Sequence, residues 1–271
     1  MKIFAIRDES AAQQTDLAYL LYYESEKQFY IELPENADPW ETPLLLSSFL
    51  KKGEASVNSY WSRMWVQQRI VPPDRQNLGQ VLRDNGLKEY DEFGLLMLSM
   101  GRCAQDDYYL APIGEGQLPE QLQKRFSRLI EDVVPLDGFE LLVFFRDGAV
   151  KKCGIKERFA KTPSFQVLFR NESFFSAVNL QPGGHGVEWD VNLSVSAAAL
   201  YRMGRKVPLT ASDFQSFVVH RVVNVAEAAE ILNCSRQNID YLTRAGKLHP
   251  VKSSGKNTLY LKSEILKRSW Q

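Results

Sequence analysis

The amino-terminal part of the chain carries short apolar runs separated by polar and proline-containing breaks. Period-two alternation and continuous apolar runs predict strands, whereas apolar residues three and four apart predict helices. The predicted elements are strands at 2–6, 18–23 and 29–33, helices ending near residue 50 and at 57–69, 74–85 and 90–100, and a strand at 107–113. Asp74 is the predicted cap of the third helix. These elements predict an acidic α+β domain over residues 1–113, with no activity that the pattern identifies.

Two features of this first region have alternative interpretations. An aromatic stripe at helical spacing (Tyr60, Trp61, Met64 and Trp65) is typical of a hydrophobic core, and a ligand platform is the alternative. The arginines of this region either bind an anion or form ion pairs with nearby acids. These arginines are Arg63, Arg69, Arg75 and Arg83. Because acids outnumber bases here, we expect pairing with members of the set Asp84, Asp91, Glu92, Asp106 and Asp107.

A glycine-containing linker at 114–116 precedes a second predicted α+β domain, residues 117–207. The pattern predicts a helix at 118–133 and a hairpin of strands 139–145 and 150–155, turned at Asp147-Gly148. Strands at 177–180 and 187–190 flank Gly183-Gly184-His185-Gly186, and a helix is predicted at 194–201. No helix follows this glycine-rich loop, so it is predicted to be a turn and not a phosphate-binding loop.

The last segment, residues 208–271, shows the order helix, turn, helix, hairpin, helix. After a connecting helix from about Thr210, Asn224 is the predicted cap of a helix at 225–232, and Ser235 caps a helix at 236–245 that Gly246 ends. Ile239 and Leu242 are predicted to face inward. The following hairpin is predicted to bury Leu248, Val251, Leu259 and Leu261, and a last helix carries Ile265 and Leu266.

Charge distinguishes this last segment from the rest of a chain that is neutral overall. Residues 221–271 carry nine Lys and Arg against four Asp and Glu, a balance of +5. Residues 1–113 carry 11 against 17, a balance of −6, and residues 114–220 carry 13 against 12. Because binding follows local potential, the basic end remains compatible with a nucleic acid partner.

Several other classes of protein are disfavoured. The apolar runs are much shorter than the roughly 20 residues of a membrane span, and charges at Arg7, Asp8 and Glu9 disfavour a secretory signal. Three scattered cysteines indicate a reducing cytoplasm, with Cys153 a buried thiol. Because His185, His220 and His249 lie in separate segments, no metal site is predicted. The acid pairs Asp91-Glu92 and Asp106-Asp107 are adjacent in sequence and face different ways, so no enzymatic activity and no cofactor are predicted.

The central region resembles the bacterial domain-of-unknown-function family 2442. The residues that carry the resemblance are LLVFFRDGAV at 141–150, FRNESFF at 169–175, GVEWD at 186–190, and Leu200-Tyr201. The resemblance implies a small α+β fold, often fused to or encoded beside DNA-binding or toxin–antitoxin components. It implies no catalytic residues.

The carboxy-terminal region resembles the winged helix-turn-helix of excisionase and MerR-type regulators. The resemblance rests on AAEILNCSRQNI at 228–239 and RAGKL at 244–248. One departure is Asp240, where that family commonly has a basic residue. The carboxylate weakens phosphate contact at this point and is expected to shift the preferred base.

This motif predicts a bacterial DNA-binding protein, a transcriptional regulator that binds double-stranded DNA as a homodimer. Base contacts are predicted for Arg236, Gln237 and Asn238, since Arg pairs with guanine and Gln or Asn with adenine. Backbone contacts are predicted for Ser235, Tyr241, Arg244, Lys247, Lys252 and Lys256. The alternative is an antitoxin-like or scaffold protein whose acidic first domain binds a protein partner.

Overall fold

The computed structural model of the protein describes residues 1–190, 192–255 and 257–269, with all their side chains except those of Asp213, Ser216, His220, Leu266, Lys267 and Ser269. The chain divides into two compact units, one of residues 1–147 with 152–205 and the other of residues 148–151 with 206–271. Antiparallel sheets and short helices coexist, so the predicted α+β class is confirmed. In the part of the chain that is described, no helix has both the length and the apolar character of a bilayer span.

The first region is built on one antiparallel sheet with helices between its strands. The strands are β1 (Lys2–Asp8), β2 (Ala18–Tyr23), β3 (Gln28–Glu32), β4 (Ser56–Val57) and β5 (Tyr108–Ile113), in the order β4-β3-β2-β1-β5. The helices are α1 (Leu44–Lys51), α2 (Ser59–Gln67), α3 (Leu78–Asp84) and α4 (Glu92–Ser99). The predicted elements therefore occur in the predicted order, and β4 is an additional short strand that the sequence does not predict. Asp74 is not a cap, because α3 begins later, after Asn77.

This sheet is buried on both faces. Phe4 and Ile6 face a core that includes residues of α1, α2 and α4, whereas Ile3 and Ala5 face a second core that includes Leu122. Strands covered on both sides need apolar residues at successive positions, which is why β1 and β2 are continuous apolar runs.

The aromatic stripe on α2 is only partly in the core. Trp65 is 1% exposed, but Tyr60 is 61% and Trp61 39% exposed. The prediction of a core stripe is therefore right for the later turn of the helix and wrong for its first residues. Trp40 and Leu44, which precede and begin α1, are also exposed.

The predicted helix at 118–133 is correct only in its first half. The helix α5 (Glu120–Phe126) is followed by β6 (Ile130–Leu136), which pairs with β7 (Glu140–Phe145). Ile130 opposes Phe145 in this ladder, and both are buried. Pairing with a later strand overrides the helical spacing of the apolar residues, which a local pattern does not reveal.

The rest of the central region contains two small sheets. Its elements are β8 (Val150–Gly154), α6 (Ile155–Phe159), α7 (Glu172–Ser176), β9 (Asn179–Leu180), β10 (Gly186–Asp190), β11 (Leu193–Ser196), α8 (Ala197–Met203) and β12 (Arg205–Lys206). The sheet orders are β12-β8-β7-β6 and β11-β10-β9. The hairpin is confirmed, with Gly148 at φ 81°. The helix predicted at 194–201 begins only at Ala197, because Leu193–Ser196 pairs with β10.

The second unit contains the predicted helices and one additional strand. Its elements are α9 (Ala211–Arg221), β13 (Val222–Asn224), α10 (Val225–Ile231), α11 (Arg236–Arg244), β14 (Lys252–Ser254), β15 (Asn257–Leu261) and α12 (Lys262–Ser269). The sheet order is β13-β15-β14, so β13 turns the predicted hairpin into three strands. The domain limits 1–113, 117–207 and 208–271 remain predictions.

Candidate nucleic-acid interface

The first helix of the turn motif, α10, is closed at its start by reciprocal hydrogen bonds. The Asn224 side chain accepts from the backbone N–H groups of Ala226 (2.8 Å) and Glu227 (3.0 Å). The Glu227 carboxylate accepts from the backbone N–H of Asn224 at 2.7 Å. This capping box satisfies N–H groups that have no partner within the helix, and it confirms the predicted start of α10.

The second helix, α11, begins where the sequence predicts. The Ser235 hydroxyl accepts from the backbone N–H of Asn238 at 3.2 Å. Asn233, in the turn before it, has φ 48°, a left-handed conformation that asparagine tolerates well. Gly246 follows the helix at φ 65°, as predicted. Local signals therefore define both ends of α11.

A small core holds α11 against the rest of the motif. Ala228 and Ile239 are fully buried, and the small side chain of Ala228 lets α10 and α11 approach closely. Leu242 is buried in the same cluster, as expected. The Thr243 hydroxyl also lies 2.7 Å from the hydroxyl of Tyr260 on β15. The helix is thus fixed to both α10 and the sheet.

The predicted contact residues on α11 are exposed. Arg236, Gln237 and Asn238 are exposed at its first turn, as are Ser235 before them and Tyr241 and Arg244 after them. At about 100° per residue, Gln237 and Arg244 point most directly away from Ile239 and Leu242. Asp240 and Tyr241 lie on either side of the direction in which Gln237 and Arg244 point. The exposed face of α11 therefore includes Asp240 as well as the predicted residues.

The wing differs from the prediction in which side chains it buries. Leu248 is buried, but Val251 is 58% exposed, and Tyr260 is buried in place of Leu259 and Leu261, which are half-buried. The inward alternation of β15 is therefore shifted by one residue. The strand β15 lies between β13 and β14, and its pairing with β13 sets this register. In that pairing Tyr260 opposes Val223.

A cleft of about 890 Å³ separates the start of α11 from the wing. Its wall contains two cations and one anion, Arg236, Lys252 and Asp240. Its other lining residues are Asn224, Val225, Ala226, Ser254, Gly255, Asn257, Thr258 and Leu259.

Four predicted cationic contact residues of the helix-turn-helix region are available for an external partner. Lys247 and Lys252 are exposed, as are Arg236 and Arg244. Among the described residues, none of these four forms an ion pair. Lys256, the remaining predicted backbone contact, lies outside the described residues.

The arginines of the first region mostly serve internal pairs. The Arg63 guanidinium binds the Glu92 carboxylate at 2.8 Å, and the buried Arg69 pairs with Asp106. Arg75 donates to Asn77 at 2.8 Å. Pairing, the expected alternative, is confirmed for Arg63 and Arg69.

The structure also contains a buried polar cluster that the sequence does not predict. The Glu32 carboxylate, only 1% exposed, accepts from Arg125 Nη1 at 2.6 Å and from the Ser56 hydroxyl at 2.8 Å. His185 stacks on Tyr30 at 4.1 Å between ring centres. The Nε2 atom of His185 lies 2.9 Å from the hydroxyl of Tyr23.

Burial dominates the titration of this cluster. It lowers the pKa of His185 to about 3, with a further contribution from Arg146, so the imidazole is neutral near pH 7. The 3.6 Å approach of His185 Nδ1 to Glu32 is therefore not an ion pair at that pH. Burial also raises the pKa of Glu32, against the opposing effects of Arg125 and Ser56.

The backbone of the glycine-rich loop lies very close to Tyr23 and to Ile130, which only residues without a Cβ permit. A Cβ on Gly183 would lie 2.0 Å from the Tyr23 hydroxyl, and one on Gly184 would lie 2.0 Å from the backbone oxygen of Ile130. The prediction of a turn between strands is confirmed. The glycines were the only signal in the sequence for this contact.

Two remaining predictions concern cysteine and metal chemistry. Cys153 is fully buried and lies with its Sγ 3.4 Å from the backbone oxygen of Leu200, as expected of a packed thiol. Across residues 1–190, 192–255 and 257–269, no three His, Cys, Asp or Glu side chains are grouped to hold a metal ion.

Comparison with known families identifies two regions of the chain. Residues 222–268 match the family described as a helix-turn-helix domain, and residues 130–206 match the family described as a protein of unknown function (DUF2442). No curated protein and no solved structure is significantly similar to the chain. Both resemblances seen in the sequence are thereby confirmed. The chain thus carries an excisionase-like helix-turn-helix domain, a type of domain that binds DNA, after a region of the DUF2442 family.

Proposed function

We propose that the chain is a bacterial, cytoplasmic transcriptional regulator that binds double-stranded DNA through residues 222–268. The observation that carries the proposal is the first turn of α11, where Arg236, Gln237 and Asn238 are exposed on a helix anchored by its own core. In helix-turn-helix proteins the start of the second helix enters the major groove. The proposal assigns the chain no enzymatic reaction and no cofactor.

The exposed side chains divide by the kind of contact that they offer. Arg236 suits the two acceptors of guanine, and Gln237 or Asn238 suits the acceptor and donor of adenine. The others offer donors to sugar and phosphate oxygens: Ser235, Tyr241, Arg244, Lys247, Lys252 and, by its sequence position, Lys256. The local balance of +5 over residues 221–271 favours the approach of a polyanion.

A dimer is part of the proposal, of the MerR-like kind in which two motifs bind two half-sites. One module of this size buries little surface and contacts few base pairs. The two preceding domains, residues 1–113 and 117–207, then sense a ligand or bind a partner. Sedimentation of the protein with one half-site and with two half-sites about ten base pairs apart measures the stoichiometry.

Selection from a random-site DNA library tests the proposal. Wild type is expected to enrich one motif, and the Arg236→Ala, Asn238→Ala double variant is expected to relax it. Lys252→Ala should weaken binding to all sequences alike and reduce the slope of log affinity against log salt concentration by about one. Lys161→Ala, an exposed lysine of the other unit, is the matched control and should change neither quantity. An unchanged motif in the double variant would refute the assignment of bases to α11.

A second candidate is an antitoxin-like or scaffold protein that binds another protein. It is favoured by exposed apolar side chains in the acidic first region, where Trp40 is 90% and Leu44 88% exposed. A stable co-purifying protein, together with no salt-sensitive DNA binding, would support this candidate over the first.

A further inference from the structure

Asp240 is an anion on a surface whose other charged members are cations. It is exposed on α11, one helical turn after Arg236, and both residues line the cleft with Lys252. Within the described part of the chain, no cation forms an ion pair with its carboxylate. The carboxylate of Asp240 therefore has no ion-pair partner among the described residues.

An unpaired carboxylate on a DNA-facing helix weakens binding to every sequence, because it repels the phosphates. That cost is offset only where a base presents a hydrogen-bond donor, since a carboxylate only accepts. In the major groove, guanine presents two acceptors and thymine presents an acceptor and a methyl group. Adenine presents a donor beside the acceptor N7, whereas cytosine presents its N4 amino group. Cytosine is therefore the base that a carboxylate favours.

We propose that Asp240 is a specificity-determining residue that accepts a hydrogen bond from the N4 amino group of a cytosine. The proposal rests on the DNA-binding function proposed above. The position on the helix supports it, because Asp240 lies beside Gln237 and Arg244, the side chains that point most directly away from the core. Arg236 and Asp240 then offer donors and an acceptor to neighbouring bases of one G·C-containing site.

The test is a random-site selection with the full-length protein and three variants. Asp240→Ala is expected to reduce the preference for cytosine at one position by roughly 5- to 150-fold and to leave the other positions unchanged. Asp240→Asn keeps the shape but adds a donor, so the preference at that position is expected to move toward adenine. Glu230→Ala is the matched control, because it removes an exposed carboxylate of α10 that does not line the cleft.

The outcomes separate this inference from the function on which it rests. If Asp240→Ala strengthens binding to all sequences by one factor and leaves every base preference unchanged, the carboxylate acts only by repulsion and the inference is wrong. The DNA-binding function would then still stand. If the wild type shows no salt-sensitive binding to DNA, the proposed function fails and the inference fails with it.

Discussion

Replacing Arg125 with methionine removes the cation from the buried cluster but keeps much of the side-chain volume. Arg125 Nη1 donates to Glu32 at 2.6 Å and to the backbone oxygens of Leu33 and Ala55 at 3.1 Å each. In the variant, the Glu32 carboxylate would remain buried with only the Ser56 hydroxyl as a donor among these contacts. An uncompensated charge of this kind is strongly destabilising.

The expected loss is about 4 kcal/mol in the free energy of unfolding. Breaking a buried ion pair by removing one partner costs about 3–5 kcal/mol, and a neutral hydrogen bond contributes about 1 kcal/mol. The side chain of Arg125 is 18% exposed, so water reaches part of the site and keeps the total within that range. A domain typically has about 5–15 kcal/mol of stability, so the variant should fold with a clearly lowered midpoint.

The loss should also depend on pH. Burial already raises the pKa of Glu32, and removal of the Arg125 cation raises it further. A protonated Glu32 carries no charge, so the charge penalty is small below the unfolded-chain pKa of about 4.5, grows as the pH rises above that value, and levels off above the folded-state pKa. Urea unfolding followed by tryptophan fluorescence, at pH 5 and pH 8, measures both quantities.

Two further variants make this experiment decisive. Lys124→Met removes an exposed cation from the same helix and should change stability by less than about 0.5 kcal/mol. Adding Glu32→Gln to Arg125→Met should restore more than about 1 kcal/mol, because it removes the unpaired charge. The reasoning would be refuted by an Arg125→Met variant no less stable than Lys124→Met, or by equal losses at both pH values.

Two other predictions concern the histidine of the cluster and the core of the helix-turn-helix. The pKa of His185 is about 3 in the folded protein and about 6.5 in an unfolded chain, so stability is present above pH 6.5 and is lost as the pH falls toward 3. His185→Gln should reduce the slope of unfolding free energy against pH, by up to about 1.4 kcal/mol per pH unit. Urea unfolding from pH 7 to 4.5 measures it, and an equal slope in the wild type and the variant would contradict the prediction. Ala228→Leu adds three carbons at a fully buried contact of α10 and should destabilise the second unit by about 1–3 kcal/mol. Calorimetry would show a lower Tm for that unit, whereas an unchanged Tm would mean that the contact has room for a larger side chain.

The helix-turn-helix was predictable because its signals are local. Asn224 with Glu227, Ser235 with Asn238, and Gly246 each act within three residues of a helix end. Such signals depend on backbone groups that every helix leaves unsatisfied at its ends, so they have the same meaning in any fold. The exposed face of α11 followed directly from the helical period once its ends were known.

The predictions of secondary structure and burial were wrong where pairing with a strand distant in sequence decides the structure. Residues 130–136 have apolar spacing that suits a helix, but β7 is available to pair with them. Residues 193–196 likewise pair with β10 and delay α8. In the wing, one residue of register decided whether Tyr260 or its neighbours were buried, and a one-residue shift reverses the two faces of a strand.

The sequence by itself determined the order of the predicted elements in the first region, the basic carboxy-terminal motif and the residues that α11 exposes. Only the tertiary structure brought Arg125 to Glu32, 93 residues away, and His185 to Tyr23, 162 residues away. It also decided that Tyr60 and Trp61 remain exposed while Trp65 is buried. The physical reason is that caps and helical periodicity act over a few residues, whereas burial depends on which surfaces the folded chain brings together.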